Sequence, residues 1–307
     1  MPDSVSFSAN TQVEKSVAKD ITELIHQTAL GRELKTKLFV RDYVQNLKNR
    51  DVIRIVSGGC SSGEEPVTYS MLLHGMRDKV DILGIDLGEN AISQAKSRKF
   101  VFEVPKRGTN LLEHFDTLKD SPFSDAYLFN STNNGLNAEQ SYFKSLFQEH
   151  FEPTGRKIRT PFWEWLHNKI EKRVGYNPLE LDRFEYRLKE GSAQNCRYVQ
   201  GDIRDIDTLT DGKKSDVISF NNALYHLTTF HDDEGIRIKK YNNDEIVENL
   251  ILKFRNNLND DGIVVFGENE GVQLLDNEVV PRVMTRLNFE PLNRTSEHEA
   301  NVWKVLK

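Results

Sequence analysis

The sequence predicts an α/β fold: an open, mostly parallel sheet with helices on both faces, a short N-terminal helical segment and a large insertion. Three observations predict it. The run IRIVSGGCSSGEEPVTYSML, from Ile53 to Leu72, reads as a buried strand, a glycine-rich turn and a helix. Short β-rich runs then alternate with helical patterns, which lays successive strands side by side in parallel. Polar motifs also fall just after the strand runs, at the carboxyl ends where open sheets hold their ligands.

Taken in order, residues 12–48 show helical periodicity in two stripes. One is Val13, Val17, Ile21, Leu24 and Ile25; the other is Leu34, Leu38, Tyr43, Val44 and Leu47, with Gly31 as the stop between them. Val52–Val56 is a strand, Glu65–Met76 a helix, Asp81–Ile85 a strand ending at Asp86, and Glu89–Ser97 a helix. From Phe100 to Asn195 the alternation stops in a polar stretch with an aromatic-rich piece, Pro161–Tyr176, that includes Trp163 and Trp165. An insertion this long in a compact domain is usually functional or disordered, and its aromatic content suits either a decorative helical insert or a substrate-recognition cap. Strands resume at Cys196–Gln200 and Asp216–Phe220. Asp244–Leu258 is a helix, Asn259–Gly262 a turn and Ile263–Gly267 a strand. Val279–Leu287 is a helix, and Phe289–Leu292 and Val302–Leu306 complete a sheet of about seven strands. The expected division is 1–50 as N-terminal helices, 51–102 and 196–307 as the core, and 103–195 as the inserted cap.

The chain has 307 residues, 37% of them hydrophobic and 29% charged, which supplies enough apolar material for a full core. A net charge of −6 argues against a nucleic-acid partner. The two cysteines, Cys60 and Cys196, form no disulfide framework and fit a reducing compartment. The N-terminus lacks the basic start and apolar stretch of a signal peptide, and no apolar run is long enough to span a bilayer, so a cytoplasmic protein without a membrane partner is expected. The histidines are dispersed, and no metal site is expected.

Chemistry concentrates at the strand ends. Glycines in the Ser57–Gly63 turn let a ligand approach the backbone, and the helix start offers free N–H donors. The acids after the turn choose the ligand. Gly58 and Gly63 have P-loop spacing, but Glu64 stands where that loop carries lysine, and Glu65 follows. Two carboxylates repel a triphosphate and suit an ammonium or a sulfonium; S-adenosylmethionine has both. Both acids would also be stabilised by the helix dipole with no ligand present. Asp86 at the second strand end can accept both hydroxyls of a ribose, or simply cap the next helix. Asp202 can accept from an adenine amino group while Ile203 packs on the ring. FNNALYHL, Phe220 to Leu227, would bring Asn221 and Asn222 beside the reacting centre, with Tyr225 and His226 near it. His226 reads equally well as a structural histidine. Glu268 and Glu270 read equally well as solvated, and Cys60 as packing.

SGGCSSGEEPVTYSM, Ser57 to Met71, resembles the glycine-loop motif SAGCSTGEEPYSLAM of the chemotaxis receptor glutamate methyltransferases. GIDLGENAISQAKSRKF resembles that family's acidic strand end and following helix, FNNALYHL its CRNVLIYF, and DGIVVFGENE its GGxLxxGxSE. The resemblance spans roughly residues 52–102 and 196–270. It implies a class I (Rossmann-like) methyltransferase fold and S-adenosylmethionine as cofactor. By position it implies cofactor contacts from Ser57, Gly58, Gly59, Cys60, Ser61 and Gly63 of the turn. It adds Glu64 or Glu65, Asp86 with Leu87, Asp202 with Ile203, and Asn221 with Asn222.

Two departures bear on the acceptor. Asn221 replaces the family's arginine in CRNV, and His226 replaces the tyrosine of its IYF segment. The family's receptor-tethering subdomain is replaced by the aromatic insertion, which argues against a chemoreceptor substrate. The expected activity is methyl transfer to an O or N acceptor, a protein carboxylate or a small molecule, held under the cap. His226, Tyr225 and Asn221 are the candidate catalytic residues. The alternative is a catalytically inactive protein that binds S-adenosylmethionine as a sensor or interaction partner. An NAD-dependent oxidoreductase is disfavoured because SGGCSSG lacks GxGxxG spacing.

Overall fold

In a computed structural model the described residues are 30–47, 49–105, 137–159, 181–221, 223–231, 237–239, 243–267, 278–293 and 301–306. The side chains of 103–105, 181, 225, 229–231, 237–239 and 243 lie outside the description. The predicted helical stripe over 12–29, the aromatic piece Pro161–Tyr176, Asn222, Glu268 and Glu270 also lie outside it.

Alternation of apolar residues, period two in the strands, decides which face each side chain covers. Strands β1 (Ile53–Gly58), β2 (Val80–Asp86), β6 (Cys196–Gln200), β7 (Ser215–Phe220) and β10 (Leu258–Phe266) pair in parallel. Strands β11 (Phe289–Asn293) and β12 (Val302–Val305) add an antiparallel end, giving the order β11-β12-β10-β7-β1-β2-β6. This is the arrangement expected of the class I methyltransferase fold. The direction of winding changes between β1 and β7, so their carboxyl ends open the crevice in which such sheets bind ligands.

Ile55, Ile82, Val217 and Val265 point to one face, packed by Val40 and Val44 of α1 (Leu34–Gln45) and by Tyr69 of α2 (Glu64–Leu72). Val56, Leu83, Ile218 and Val264 point to the other face. There they meet Leu250, Ile251 and Phe254 of the long helix Asn243–Asn257, and Val283 and Met284 of Val279–Arg286. The predicted turn at Asn259–Gly262 is absorbed into β10 as an irregularity, where the pairing with β7 jumps from Leu258 to Ile263. The turn residues thus bulge from the strand instead of preceding it.

The expected helix Glu65–Met76 stops at Leu72 and continues as a single 3-10 turn, His74–Met76; Glu89–Ser97 is helical as predicted. Regular structure does not stop at Phe100. Strand β3 (Lys99–Pro105) pairs antiparallel with β5 (Leu181–Leu188), which pairs with β4 (Phe151–Ile158), and the short β8 (Thr229–His231) pairs antiparallel with β9 (Arg237–Lys239). A helix, Ala138–His150, starts at Asn137 with a capping box to Gln140, and its Phe147 packs on Phe102 and Phe151, with ring centroids 5.4 and 5.0 Å apart. The β3-β5-β4 sheet rests on Val67, Met71 and Leu72 of α2, the helix that leaves the glycine turn.

Candidate functional site

The glycine turn is fixed by backbone geometry before any ligand enters. Gly59, Ser61 and Gly63 have φ of 66°, 48° and 93°, and Cys60 N–H donates to Ile85 O of the neighbouring strand at 3.1 Å. Gly58 has no room for a side chain: a Cβ there would sit 2.8 Å from Ile203 and 2.9 Å from Phe220. A Cβ on Gly63 would meet the Tyr198 hydroxyl at 3.0 Å, in a conformation that side chains rarely adopt. Loop, β6 turn and β7 end are therefore in direct contact.

Asp86 ties the second motif to the first. Its Oδ2 accepts Ser61 N–H at 2.7 Å and its Oδ1 accepts Gly88 N–H at 2.8 Å. A carboxylate has about four lone-pair sites, so capacity for a hydroxyl pair is left over. Leu87, the next residue, is 40% exposed, an apolar side chain displayed at the strand end. Asp202 turns inward on its own element: it accepts Arg204 N–H at 2.9 Å and pairs with that guanidinium at 2.6 Å. Ile203 is buried against the loop glycine.

Glu64 and Glu65, equivalent candidates in the sequence, occupy different places. Glu64 is buried and accepts from the Ser62 hydroxyl at 2.7 Å. Glu65 reaches across to β7, where its Oε2 accepts Asn221 Nδ2 at 3.0 Å. The same Nδ2 donates to Ser219 Oγ at 3.2 Å, and Ser219 Oγ lies 3.2 Å from the Tyr69 hydroxyl. Burial, with Glu65 nearby, holds the Tyr69 phenol far above its usual pKa, so it stays protonated. Three buried atoms of this cluster, Glu65 Oε1, Asn221 Oδ1 and Ser57 Oγ, have no hydrogen-bond partner among the described residues. Each such orphan costs about 1–3 kcal/mol, more if charged.

The structure therefore brings together Ser57 to Glu65, Asp86, Ile203 and Asn221. His226 is exposed, on the short helix Leu224–Thr228 that follows β7. The Cys60 thiol is pushed up by burial and by the carboxylates of Asp86, Glu64 and Glu65, which leaves it an inert packing group. Tyr69 and Ser219 were not singled out from the sequence. Ser219 had a legible signal, since it lies two residues before Asn221 on a strand and so shares its face. Tyr69 had none, because a tyrosine inside an apolar helix reads as core. No helix among the described residues is long and apolar enough to cross a membrane.

A family model described as "CheR methyltransferase, SAM binding domain" matches residues 22–113. No curated protein matches the chain. Among solved structures the chain is similar to the rRNA methyltransferase aviRa from Streptomyces viridochromogenes, at 12% identity and a TM-score of 0.40, over 89% of this chain and 83% of that one. It is also similar to magnesium protoporphyrin IX methyltransferase (ChlM) from Synechocystis PCC 6803 with bound SAM, at 10% identity and a TM-score of 0.36, over 99% of this chain and 85% of that one. Likenesses this distant carry no argument about substrate. Nothing in the comparisons supports the alternative of an inactive binding protein.

Proposed function

We propose that this chain is a divergent CheR-like, S-adenosylmethionine-dependent methyltransferase, a cytoplasmic enzyme that methylates an O or N acceptor at the carboxyl ends of β1 and β7, under the segment inserted between the two halves of the core. The observation that carries this reading is the Glu65–Asn221 hydrogen bond. It joins the glycine-turn motif to FNNALYHL at the change of winding and leaves Glu65 Oε1 buried and unpaired. An unpaired carboxylate oxygen calls for a cationic donor, and the cofactor's ammonium is one.

The residues present fit that cofactor. The Ser57–Gly63 turn would hold its methionyl part, with Glu65 and the Ser57 hydroxyl as acceptors. Asp86 would take the ribose hydroxyls with its spare lone pairs, and Leu87 and Ile203 would flank the adenine. Asn222 is kept in the set by position alone. Asp202 contributes by shaping its turn, since its carboxylate is held by Arg204. When bound, S-adenosylmethionine supplies an electrophilic methyl group with a good leaving group. The protein's part is then to orient and to exclude water, bringing the acceptor into contact at about 3–3.5 Å.

An amine or hydroxyl acceptor must also lose a proton. His226, exposed one turn beyond Asn221, is the proposed base, with Tyr225 next. Replacing His226 with Ala or Phe should lower turnover and leave cofactor affinity nearly unchanged. Equal loss of both in steady-state kinetics and calorimetry would remove His226 from the acceptor side.

A further inference from the structure

We propose that the methyl acceptor is an atom bearing a proton, the N–H nitrogen of an amine or amide or the O–H oxygen of an alcohol, and not an ionised carboxylate. This rests on the methyltransferase reading above and narrows it. The deciding residue is Asn221, where the resembling motif has arginine. An asparagine side chain offers two N–H donors and one acceptor oxygen. Here the donors are spent inward, on Glu65 Oε2 at 3.0 Å and Ser219 Oγ at 3.2 Å.

The amide is locked that way round. Turning it over would set Oδ1 against the Glu65 carboxylate, lone pairs against lone pairs, and lose the bond that Nδ2 makes there. Asn221 therefore presents its carbonyl oxygen, buried and lacking a donor, just past the end of β7. Glu65 Oε1 and Ser57 Oγ are unpaired in the same cluster, and no lysine or arginine among the described residues pairs with any of the three. An arginine at position 221 would attract a carboxylate. The present group gives one no donor, because the Asn221 Oδ1 lone pairs would face the carboxylate's lone pairs. A proton-bearing acceptor instead donates to Asn221 Oδ1, and that bond aims its own lone pair elsewhere.

The reaction balances on that arrangement. The acceptor's lone pair forms the new bond to the methyl carbon as the sulfur–carbon bond breaks. The electron pair of the broken bond stays on sulfur, which becomes a neutral thioether. The acceptor's proton leaves its hydrogen bond to Asn221 Oδ1, which is no base, and passes through water to His226 and then to bulk water.

The test uses the unaltered protein, S-adenosylmethionine tritiated on its methyl group, and a total extract of small molecules and proteins as the acceptor pool. Methyl esters of carboxylates hydrolyse in warm alkali and release volatile tritiated methanol, whereas N-methyl and ether products do not. Label that stays involatile supports the inference, and label lost as methanol overturns it. A second arm separates the two readings. Asn221→Leu also removes the Nδ2 bonds to Glu65 and Ser219, so it should lower turnover about tenfold or more beyond whatever affinity for S-adenosylhomocysteine is lost. Parallel loss of affinity would assign Oδ1 to the cofactor, overturning the inference and leaving the methyltransferase intact. Failure of the unaltered, folded protein to bind the cofactor would remove both. The alkali arm stands even if the variant does not fold.

Discussion

Strand β7 has a polar cluster at each end, and the two are built on opposite terms. At its start, Asp216 is 1% exposed and fully answered: Oδ2 takes Arg54 N–H at 2.8 Å, and Oδ1 takes Asn259 Nδ2 at 2.7 Å and Arg50 Nε at 3.1 Å. Arg50 continues to Asp261, whose backbone carbonyl accepts from the Tyr43 hydroxyl. Burial raises that phenol to about 12, so it remains a donor. At the other end, Glu65, Asn221 and Ser57 keep acceptors that nothing among the described residues satisfies. The same sheet thus contains a carboxylate that closes it and a carboxylate that keeps it open. Buried polar groups stabilise when every partner is present, and the unfinished cluster is where a ligand is expected.

Substitutions at the two ends should separate stability from binding. The largest expected effect is at the closed end. Asp216→Ala strands Arg50, Asn259 and the Arg54 amide, and should lower stability by about 3–5 kcal/mol in urea unfolding, with cofactor affinity intact in what remains folded. A loss under 1 kcal/mol, about that of a surface pair, would break the contrast. Gly58→Ala touches both properties. Its Cβ would press on Ile203 and Phe220 where the loop meets β7, costing about 1–3 kcal/mol and weakening the cofactor site with it. Normal affinity in that variant would mean the loop tolerates displacement.

The smallest effect is a pH dependence away from both ends. His150 packs beside His74 with ring centroids 5.9 Å apart and accepts from or donates to Ser192 Oγ at 3.0 Å. Burial lowers its pKa below the usual 6.5, helped by His74, Lys189 and Arg77 and opposed by Glu149. The folded state then binds fewer protons than the unfolded one between that lowered pKa and 6.5. Stability from this group is full above 6.5 and is lost as pH falls through the window. His150→Gln should make the acid limb of a stability–pH curve shallower, and an unchanged limb would assign the slope to other groups.

Most of this architecture could be read from the chain, for a physical reason. The central strands are buried runs with sharp polar ends, and the helix Glu89–Ser97 and the partly exposed edge strand Cys196–Gln200 have the bounds that local pattern predicts. The convergence of Ser57–Glu65, Asp86, Ile203 and Asn221 followed from parallel topology, which sends every strand end to one edge. What stayed hidden depends on partners distant in sequence. Glu64 and Glu65 look alike until Asn221, far along the chain, chooses one of them. Asp202 looks free until Arg204 folds back on it. The pairing of Lys99–Pro105 with Leu181–Leu188 joins strands separated by a long polar stretch, a link that periodicity cannot report.

The open end of β7 can be tested in one titration. Glu65→Gln keeps the shape of the side chain and removes its charge, and calorimetry with S-adenosylhomocysteine can be run beside thermal unfolding. The account predicts roughly 10-fold to 100-fold weaker binding, the worth of a charge-assisted hydrogen bond, with a melting temperature equal to or above that of the unaltered protein. Unchanged affinity together with a lower melting temperature would show that Glu65 serves the fold as Asp216 does, and would contradict it.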